Sequence, residues 1–134
     1  MLDVEVLGAQ LPESLSREEI ERLCAAAVAS AGVRSGHLAV EFVSAERIAE
    51  LNAVYRAKQG PTDVLSFPID GAAPTDGPQR ELGDIVICPE HTIDLCAAII
   101  HGALHLVGMD HETDDGEMLA LQAELLRSAG AGTT

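Results

Sequence analysis

The chain has 134 residues, 47% of them apolar, and a formal net charge of −14. This length suits one domain, residues 1–134, and with three aromatic residues the core must be Leu, Val, Ile and Ala. The excess of acidic residues argues against non-specific nucleic-acid binding, because phosphate contacts need local Lys or Arg. No leader or membrane-spanning run is apparent, and three unpatterned cysteines fit reduced thiols, so we expect a soluble, cytoplasmic protein with no membrane partner.

The first third of the chain predicts a strand followed by a helix. Residues Leu2–Leu7 alternate apolar and acidic side chains, which is the period of a half-buried strand. Ser16 and Glu19 have the spacing of a capping box. We therefore predict a helix from about residue 17 to 31, and Gly32 ends it.

The same alternation of strand and helix continues to the middle of the chain. Residues 38–43 alternate again and predict a second strand. Ser44 is placed to cap a helix that ends near residues 58–61. Three apolar side chains of this helix are predicted to point inward: Ile48, Leu51 and Val54.

The second half of the chain opens with two strand patterns. Prolines bracket residues 61–68, which predicts a short edge strand. Residues 70–80 form a Gly- and Pro-rich loop that we expect to be mobile. Residues 82–88 predict a buried strand, in which Gly83 allows close backbone approach. Pro89 suits a first helical position, so we predict a helix from Pro89 to Val107.

A last helix is predicted after an aspartate cap at position 114 or 115. Its buried stripe is Met118, Leu121, Leu125 and Leu126. The order is then strand, helix, strand, helix, strand, strand, helix, helix. This order predicts the α/β (α+β) class, with a single small mixed β-sheet of about four strands and helices packed over it.

Three of the five histidines lie close together, at His101, His105 and His111. On a helix, the first two share one face about 6 Å apart along the axis, a separation at which two imidazoles bind one metal ion. Gly108 can adopt the left-handed conformation that ends a helix and returns His111 as a third ligand. The alternative is a chance cluster of core or surface histidines. We predict one zinc ion held by three histidines plus water, at the C-terminal helix and the following turn.

The spacing His-x-x-x-His-x-x-Gly-x-x-His is also the ligand frame of the metzincin peptidases. In those enzymes a glutamate follows the first histidine and acts as the general base. Gly102 occupies that position here and cannot accept a proton. Peptidase chemistry is therefore disfavoured, although the metal ligands remain.

Four ordered motifs resemble the YbeY family of ribosome-maturation endoribonucleases. The resemblance spans about residues 40 to 127, and the final helix follows the family pattern as well. Met109 stands where the family usually has an aromatic residue, and the 88–100 connection is shorter than is usual in the family. The motifs are Leu51-Asn-x-x-Tyr-Arg-x-Lys58, Pro61-Thr-Asp-Val-Leu-Ser-Phe-Pro68, Leu82-Gly-Asp-Ile-Val-Ile87 and His101-Gly-x-Leu-His-Leu-x-Gly-x-Asp-His111.

The resemblance implies a small mixed sheet with helices and a zinc ion on the three histidines. It also implies a single-strand-specific endoribonuclease that acts in ribosomal RNA maturation and small-subunit quality control. The implied partners are single-stranded or ribosomal RNA and the small ribosomal subunit or a ribosomal protein, without a nucleotide cofactor.

Two cations of the second helix's end are candidates for substrate contacts. Arg56 is our candidate catalytic residue, because a guanidinium forks onto two phosphate oxygens and stays charged. Lys58 is a candidate substrate-binding residue. Without the resemblance, both would be interpreted as solvated surface residues.

Several other polar residues leave alternatives open. Asp63, Asp84 and Asp110 can orient metal-bound imidazoles or bond local backbone. His37 and His91 are interpreted as ordinary surface residues.

Two alternative functions remain at this stage. One is a non-catalytic ribosome assembly factor with a structural zinc ion. The other is a zinc hydrolase for another substrate, such as a peptide or small ester.

Overall fold

The computed structural model describes residues 2–8, 11–70 and 80–131. Most of the loop predicted at 70–80, namely residues 71–79, lies outside this described part. The predicted order of strands and helices is confirmed. The elements are β1 (Leu2–Leu7), α1 (Arg17–Ala29), β2 (Gly36–Phe42), α2 (Ala45–Arg56), β3 (Val64–Pro68), β4 (Glu81–Ile87), α3 (Leu95–Leu106) and α4 (Glu117–Ala131), with a 3-10 turn at Pro89–His91 before α3.

The four strands form one mixed sheet in the order β1-β2-β4-β3. β1, β2 and β4 run parallel, whereas β3 pairs antiparallel with β4 and forms one edge. This confirms both the small mixed sheet and the edge position of the strand bracketed by prolines. Gly83 has a φ of +138°, and a Cβ there would collide with the Phe67 carbonyl oxygen, so only glycine permits this close approach.

Helices cover both faces of the sheet. The larger core lies between the sheet and α1, α3 and α4, while α2 closes a smaller core over β3 and β4. α3 lies deepest, with Ile99, Ile100 and Leu104 fully buried. Since α3 packs on β3 and β4, the polar face of that helix lies beside the free edge of β3.

The helix starts follow the sequence signals closely. Ser16 and Glu19 form the predicted capping box at α1, and the Ser44 hydroxyl caps α2 by accepting from the Arg47 amide at 3.1 Å. α2 ends at Ala57, which takes a left-handed conformation with φ 55°. Among the described helices, none is long and apolar enough to span a bilayer.

Two predictions about the bounds and buried faces of helices are wrong. Val54 was expected to point inward but is 74% exposed, because α2 packs on the sheet through the turn that carries Ile48. The helix predicted from Pro89 begins instead at Leu95. Thr92 is extended and its hydroxyl donates to the Cys88 carbonyl, and Asp94 then caps a new helix by accepting from the Ala97 amide at 3.1 Å. As a result, Pro89 starts only a single 3-10 turn, Pro89–His91.

His37 is not the ordinary surface residue expected from the sequence. Its side chain is 22% exposed and lies between the carboxylates of Glu81, at 2.8 Å, and Glu5, at 3.2 Å. The hydrogen bond to Glu81 is the largest cause that raises the pKa of His37. The three residues stand at the start of β2 and on the neighbouring strands, away from the histidine cluster.

Candidate metal centre

The structure brings His101, His105 and His111 together at the C-terminal end of α3. One nitrogen from each lies within 4.8 Å of the others. Gly108 has the predicted positive φ, +99°, and the Met109 amide donates to the Leu104 carbonyl, so the helix ends with a turn. α3 is the penultimate helix, not the C-terminal helix named in the prediction, because α4 follows it.

The turn after α3 is held by local hydrogen bonds that return the third histidine. The Asp110 carboxylate accepts from the Glu112 amide at 3.0 Å, which closes a tight turn around His111. The ring centroid of His111 is 5.1 Å from that of His101 and 5.5 Å from that of His105. Helix and turn together therefore bring the three imidazoles into one cluster.

Hydrogen bonds fix which nitrogen of each helical histidine is free. Nδ1 of His101 donates to Gln122 Oε1 at 2.7 Å, and Nδ1 of His105 donates to the Met109 carbonyl at 2.9 Å. The two Nε2 atoms are 3.2 Å apart and both carry lone pairs. Two acceptors at that distance repel unless a cation or a proton lies between them, so this donor set fits a metal ion.

The surroundings keep His105 in the form that a metal requires. Burial is the main cause that lowers the pKa of His105, and the neighbouring His101 lowers it further. A neutral imidazole is the species that binds a divalent ion. Three histidine donors with an open side match a catalytic metal site better than a closed structural one.

Gln122 is the site residue that the sequence analysis missed. It lies on α4 one turn after the fully buried Met118, and its amide oxygen accepts from His101. A polar residue four positions after Met118, beside the apolar stripe of α4, was the available signal. Its partner could not be known without the packing of α4 on α3.

The three aspartates considered as orienting groups have other partners. Asp63 accepts from the Val64 amide at 2.8 Å, and Asp110 closes the turn before His111. Asp84 lies near His37 and Glu81, and burial raises its pKa. Among the described hydrogen bonds, none joins these carboxylates to an imidazole, so the orienting role passes to Gln122 and the Met109 carbonyl.

Gly102 has a packing role as well as a chemical consequence. A Cβ at this position would lie 2.5 Å from Cγ2 of Ile85 and 3.3 Å from Oγ of Ser66. The Ser66 hydroxyl donates to the Gly102 carbonyl at 3.2 Å, which ties α3 to β3. A glutamate side chain therefore has no space at this position. The Ser66 hydroxyl is already used in the hydrogen bond to the Gly102 carbonyl.

The histidines open into a cleft of about 980 Å³. One wall is β3 with Tyr55 and Arg56 from the last turn of α2, and the other is α3 with the turn after it. Lys58 is exposed and is not among the residues that line the cleft. Among the described residues that line the cleft, only Arg56 is a Lys or Arg, whereas four carry carboxylates: Asp63, Asp94, Asp110 and Glu112.

Comparison with known proteins identifies a family over nearly the whole chain. A family model described as Endoribonuclease YbeY matches residues 7–130. An Endoribonuclease YbeY of Rubrobacter xylanophilus is 40% identical over 121 residues, covering 85% of each chain. Its namesake in Bifidobacterium animalis is 43% identical over 106 residues, covering 66% of this chain and 59% of the relative. The chain thus spans less than two thirds of some relatives' length.

The fold is also similar to a solved structure. A solution structure of a protein from Thermotoga maritima is 27% identical and superposes with a TM-score of 0.58. The match covers 96% of this chain and 90% of the other. This structural match agrees with the mixed sheet and helices described above.

Proposed function

The chain belongs to the YbeY family of endoribonucleases, and from that premise we propose that it hydrolyses single-stranded RNA in ribosomal RNA maturation and small-subunit quality control. The observation that carries this proposal is the convergence of the His101 and His105 Nε2 atoms in a cleft that also contains Arg56. The peptidase alternative is not favoured, because Gly102 offers no base.

We propose that His101, His105 and His111 hold one zinc ion. Such an ion supplies an acidified water or polarises a phosphoryl oxygen. Gln122 and the Met109 carbonyl keep Nε2 of the two helical histidines unprotonated and directed into the cleft. The chain's contribution is thus to fix the imidazole tautomers and the direction of their lone pairs.

Arg56 is proposed to bind the phosphate at the cleavage position. It lines the cleft on the wall opposite the histidines, and its guanidinium can donate two parallel hydrogen bonds to a phosphate. Asn52 supports this placement, since its buried amide donates to the Gly60 carbonyl at 2.9 Å and fixes the end of α2. Lys58 follows two residues later and is proposed to contact a phosphate just outside the cleft.

We further propose that residues 1–134 act as one domain in the cytoplasm, where ribosomes are assembled. The proposed partner is the small ribosomal subunit or one of its proteins, and no nucleotide cofactor is required. Because the cleft wall carries one basic residue and four acidic ones, a partner that presents the RNA would compensate for weak phosphate contacts.

A cleavage assay on labelled single-stranded RNA tests the proposal with zinc-loaded protein. We expect His111→Ala to lose both zinc and cleavage, and Arg56→Ala to keep about one zinc per chain while cleavage falls about 100-fold. Arg47→Ala is the matched control, because Arg47 lies on the same helix, forms an ion pair with Glu50 at 3.8 Å and is not among the residues that line the cleft. Undiminished cleavage by His111→Ala would reveal a contaminating nuclease and refute the zinc-enzyme proposal.

Binding to ribosomal subunits is tested separately by co-sedimentation. We expect zinc-loaded protein to sediment with small subunits and to cleave the unprocessed ends of their RNA. If the protein binds subunits but cleaves neither their RNA nor the free RNA, it is an assembly factor, and the endoribonuclease proposal is wrong.

A further inference from the structure

Aromatic residues are scarce in this chain, yet they concentrate in the cleft. The sequence has one Tyr, two Phe and no Trp. Phe42 is fully buried in the core, but Tyr55 and Phe67 both line the cleft beside the histidines. Packing does not explain Tyr55, since 65% of it is exposed. An exposed aromatic ring in a cleft is a common device for holding a planar ligand.

The ring of Tyr55 packs against that of Phe67. Its centroid lies 5.2 Å from that of Phe67, with the ring planes at 73°, which is an edge-to-face contact. Such a contact uses at most one face of either ring, so at least one face of Tyr55 is free of Phe67. The residue lies on the last turn of α2, next to Arg56, and the Asn52 hydrogen bond to Gly60 fixes that helix end.

The charge of the cleft favours a ligand contact that does not depend on charge. Arg56 shares the cleft with four carboxylate side chains, so phosphate contacts alone give RNA little binding free energy here. Stacking of a base on an aromatic ring contributes without any net charge and tolerates every base, because each base has a π-face. A base in a duplex is already stacked on its neighbours, so only a single strand offers such a face.

We propose that Tyr55 is the stacking platform for a nucleobase next to the phosphate bound by Arg56. This inference rests on the proposed function and deepens it, because it assigns a residue that selects single-stranded RNA without reading its sequence. The base lies against the exposed face of Tyr55, while Phe67 of β3 supports the ring by its edge-to-face contact.

Tyr55 provides its own spectroscopic probe, since it is the chain's one tyrosine and there is no tryptophan. Zinc-loaded protein is titrated with a short oligouridylate carrying a 2′-O-methyl group on every ribose, and gel electrophoresis of the oligomer afterwards confirms that it stayed intact during the measurement. We expect tyrosine emission to fall on binding, because a stacked base quenches the ring. An abasic oligomer with the same phosphates is expected to leave the emission unchanged.

Substitutions test the same contact by a second measurement, the fluorescence anisotropy of labelled oligouridylate. Tyr55→Leu is expected to weaken binding about tenfold or more and to raise KM more than it lowers kcat, whereas Tyr55→Phe retains binding. Val54→Ala is the matched control, because Val54 is an exposed neighbour outside the cleft and should bind as wild type. Circular dichroism confirms that each variant is folded.

The outcomes separate this inference from the proposed function. Tight binding of oligouridylate with undiminished tyrosine emission, or wild-type binding by Tyr55→Leu, overturns the stacking role while the endoribonuclease proposal stands. If zinc-loaded wild type neither binds nor cleaves unmodified single-stranded RNA, the proposed function fails and the stacking role fails with it.

Discussion

Gln122 determines which nitrogen of His101 faces the other helical histidine. Its amide oxygen is 2.7 Å from Nδ1 of His101, and this bond leaves Nε2 unprotonated. Residues that orient a ligand histidine typically change metal affinity about 10- to 100-fold when mutated. We expect Gln122→Leu to weaken zinc binding by about that factor, measured by competition with a chromogenic chelator.

Two variants make the Gln122 prediction specific. Gln122→Glu keeps an acceptor for Nδ1–H and is expected to retain wild-type affinity or exceed it. Gln59→Leu changes an exposed glutamine in the loop after α2 and should have no effect. Unchanged zinc affinity in Gln122→Leu would show that the Met109 carbonyl and helix packing suffice to orient the site.

Gly102 gives a stability prediction at the same scale. An alanine Cβ would approach Cγ2 of Ile85 to 2.5 Å, and such overpacking costs about 1–3 kcal/mol. Alanine is favoured over glycine in a helix by only about 1 kcal/mol, so we expect Gly102→Ala to lower the free energy of unfolding. Urea denaturation measures the change.

A double-mutant cycle identifies the cause of that loss. Ile85→Ala alone is expected to destabilise by leaving a cavity, but it also makes room for the new methyl group. The Gly102→Ala/Ile85→Ala protein should therefore lose less stability than the two single changes together. Strict additivity would mean that the crowding lies elsewhere.

The residues that the sequence could identify are those whose roles follow from local spacing. His101, His105 and Gly108 lie within one helix and its end, so helical periodicity and glycine's conformational freedom were enough. Gln122 and Tyr55 act through contacts between different helices or with β3, and those contacts depend on tertiary packing. Arg56 stands between these cases, since its candidacy came from the family resemblance.

At the scale of elements, the strand starts of β1, β2 and β4 form a pH-sensitive cluster. The pKa of His37 is raised mainly by its hydrogen bond to Glu81, with smaller contributions from Glu5 and Asp3. The pKa of Asp84 is raised by burial and then by Glu81 and Glu5, while His37 opposes the rise. In both groups the folded protein favours the protonated form.

A raised folded pKa gives a definite direction for stability. The stabilisation by His37 is complete below its ordinary pKa of 6.5 and is lost as pH rises through the folded value. We expect the free energy of unfolding to fall by less than about 1 kcal/mol between about pH 6 and pH 8 from this residue. Urea unfolding of His37→Gln should show a flatter pH dependence over that range. An unchanged slope would mean that other groups control it.

Element boundaries were predictable where a side chain caps the backbone locally. Ser16 and Ser44 start α1 and α2 as expected. The start of α3 was missed because Pro89 and Asp94 are both suitable helix starts, and the choice depends on Thr92 bonding the Cys88 carbonyl. Val54 was misplaced because helical spacing cannot show how far along α2 the sheet extends.

At the scale of the whole molecule, the alternation of patterns predicted the class and the number of strands, but not the sheet order. β4 lies between β2 and β3. This order places β3 at an edge of the sheet, and β3 lines the cleft there. α2 packs on one face of the sheet and α3 on the other, and both helices reach this edge. Arg56 and His101 are far apart in sequence, and the topology of the sheet brings them to the same cleft. Local sequence patterns could not predict this topology.

The net charge of −14 makes a last prediction about RNA binding as a whole. Release of counterions gives log K a slope of about −0.7 per phosphate contact against log salt for a single strand. Arg56, Lys58 and the proposed zinc ion offer three positive centres, so we expect a slope no steeper than about −2. The fluorescence anisotropy of labelled RNA across a potassium chloride series measures this slope.

Arg56→Ala should reduce the slope by about 0.7, whereas Arg47→Ala should not change it. A much steeper wild-type slope would mean that RNA also contacts basic residues other than Arg56 and Lys58, and binding would then depend on phosphates instead of stacking.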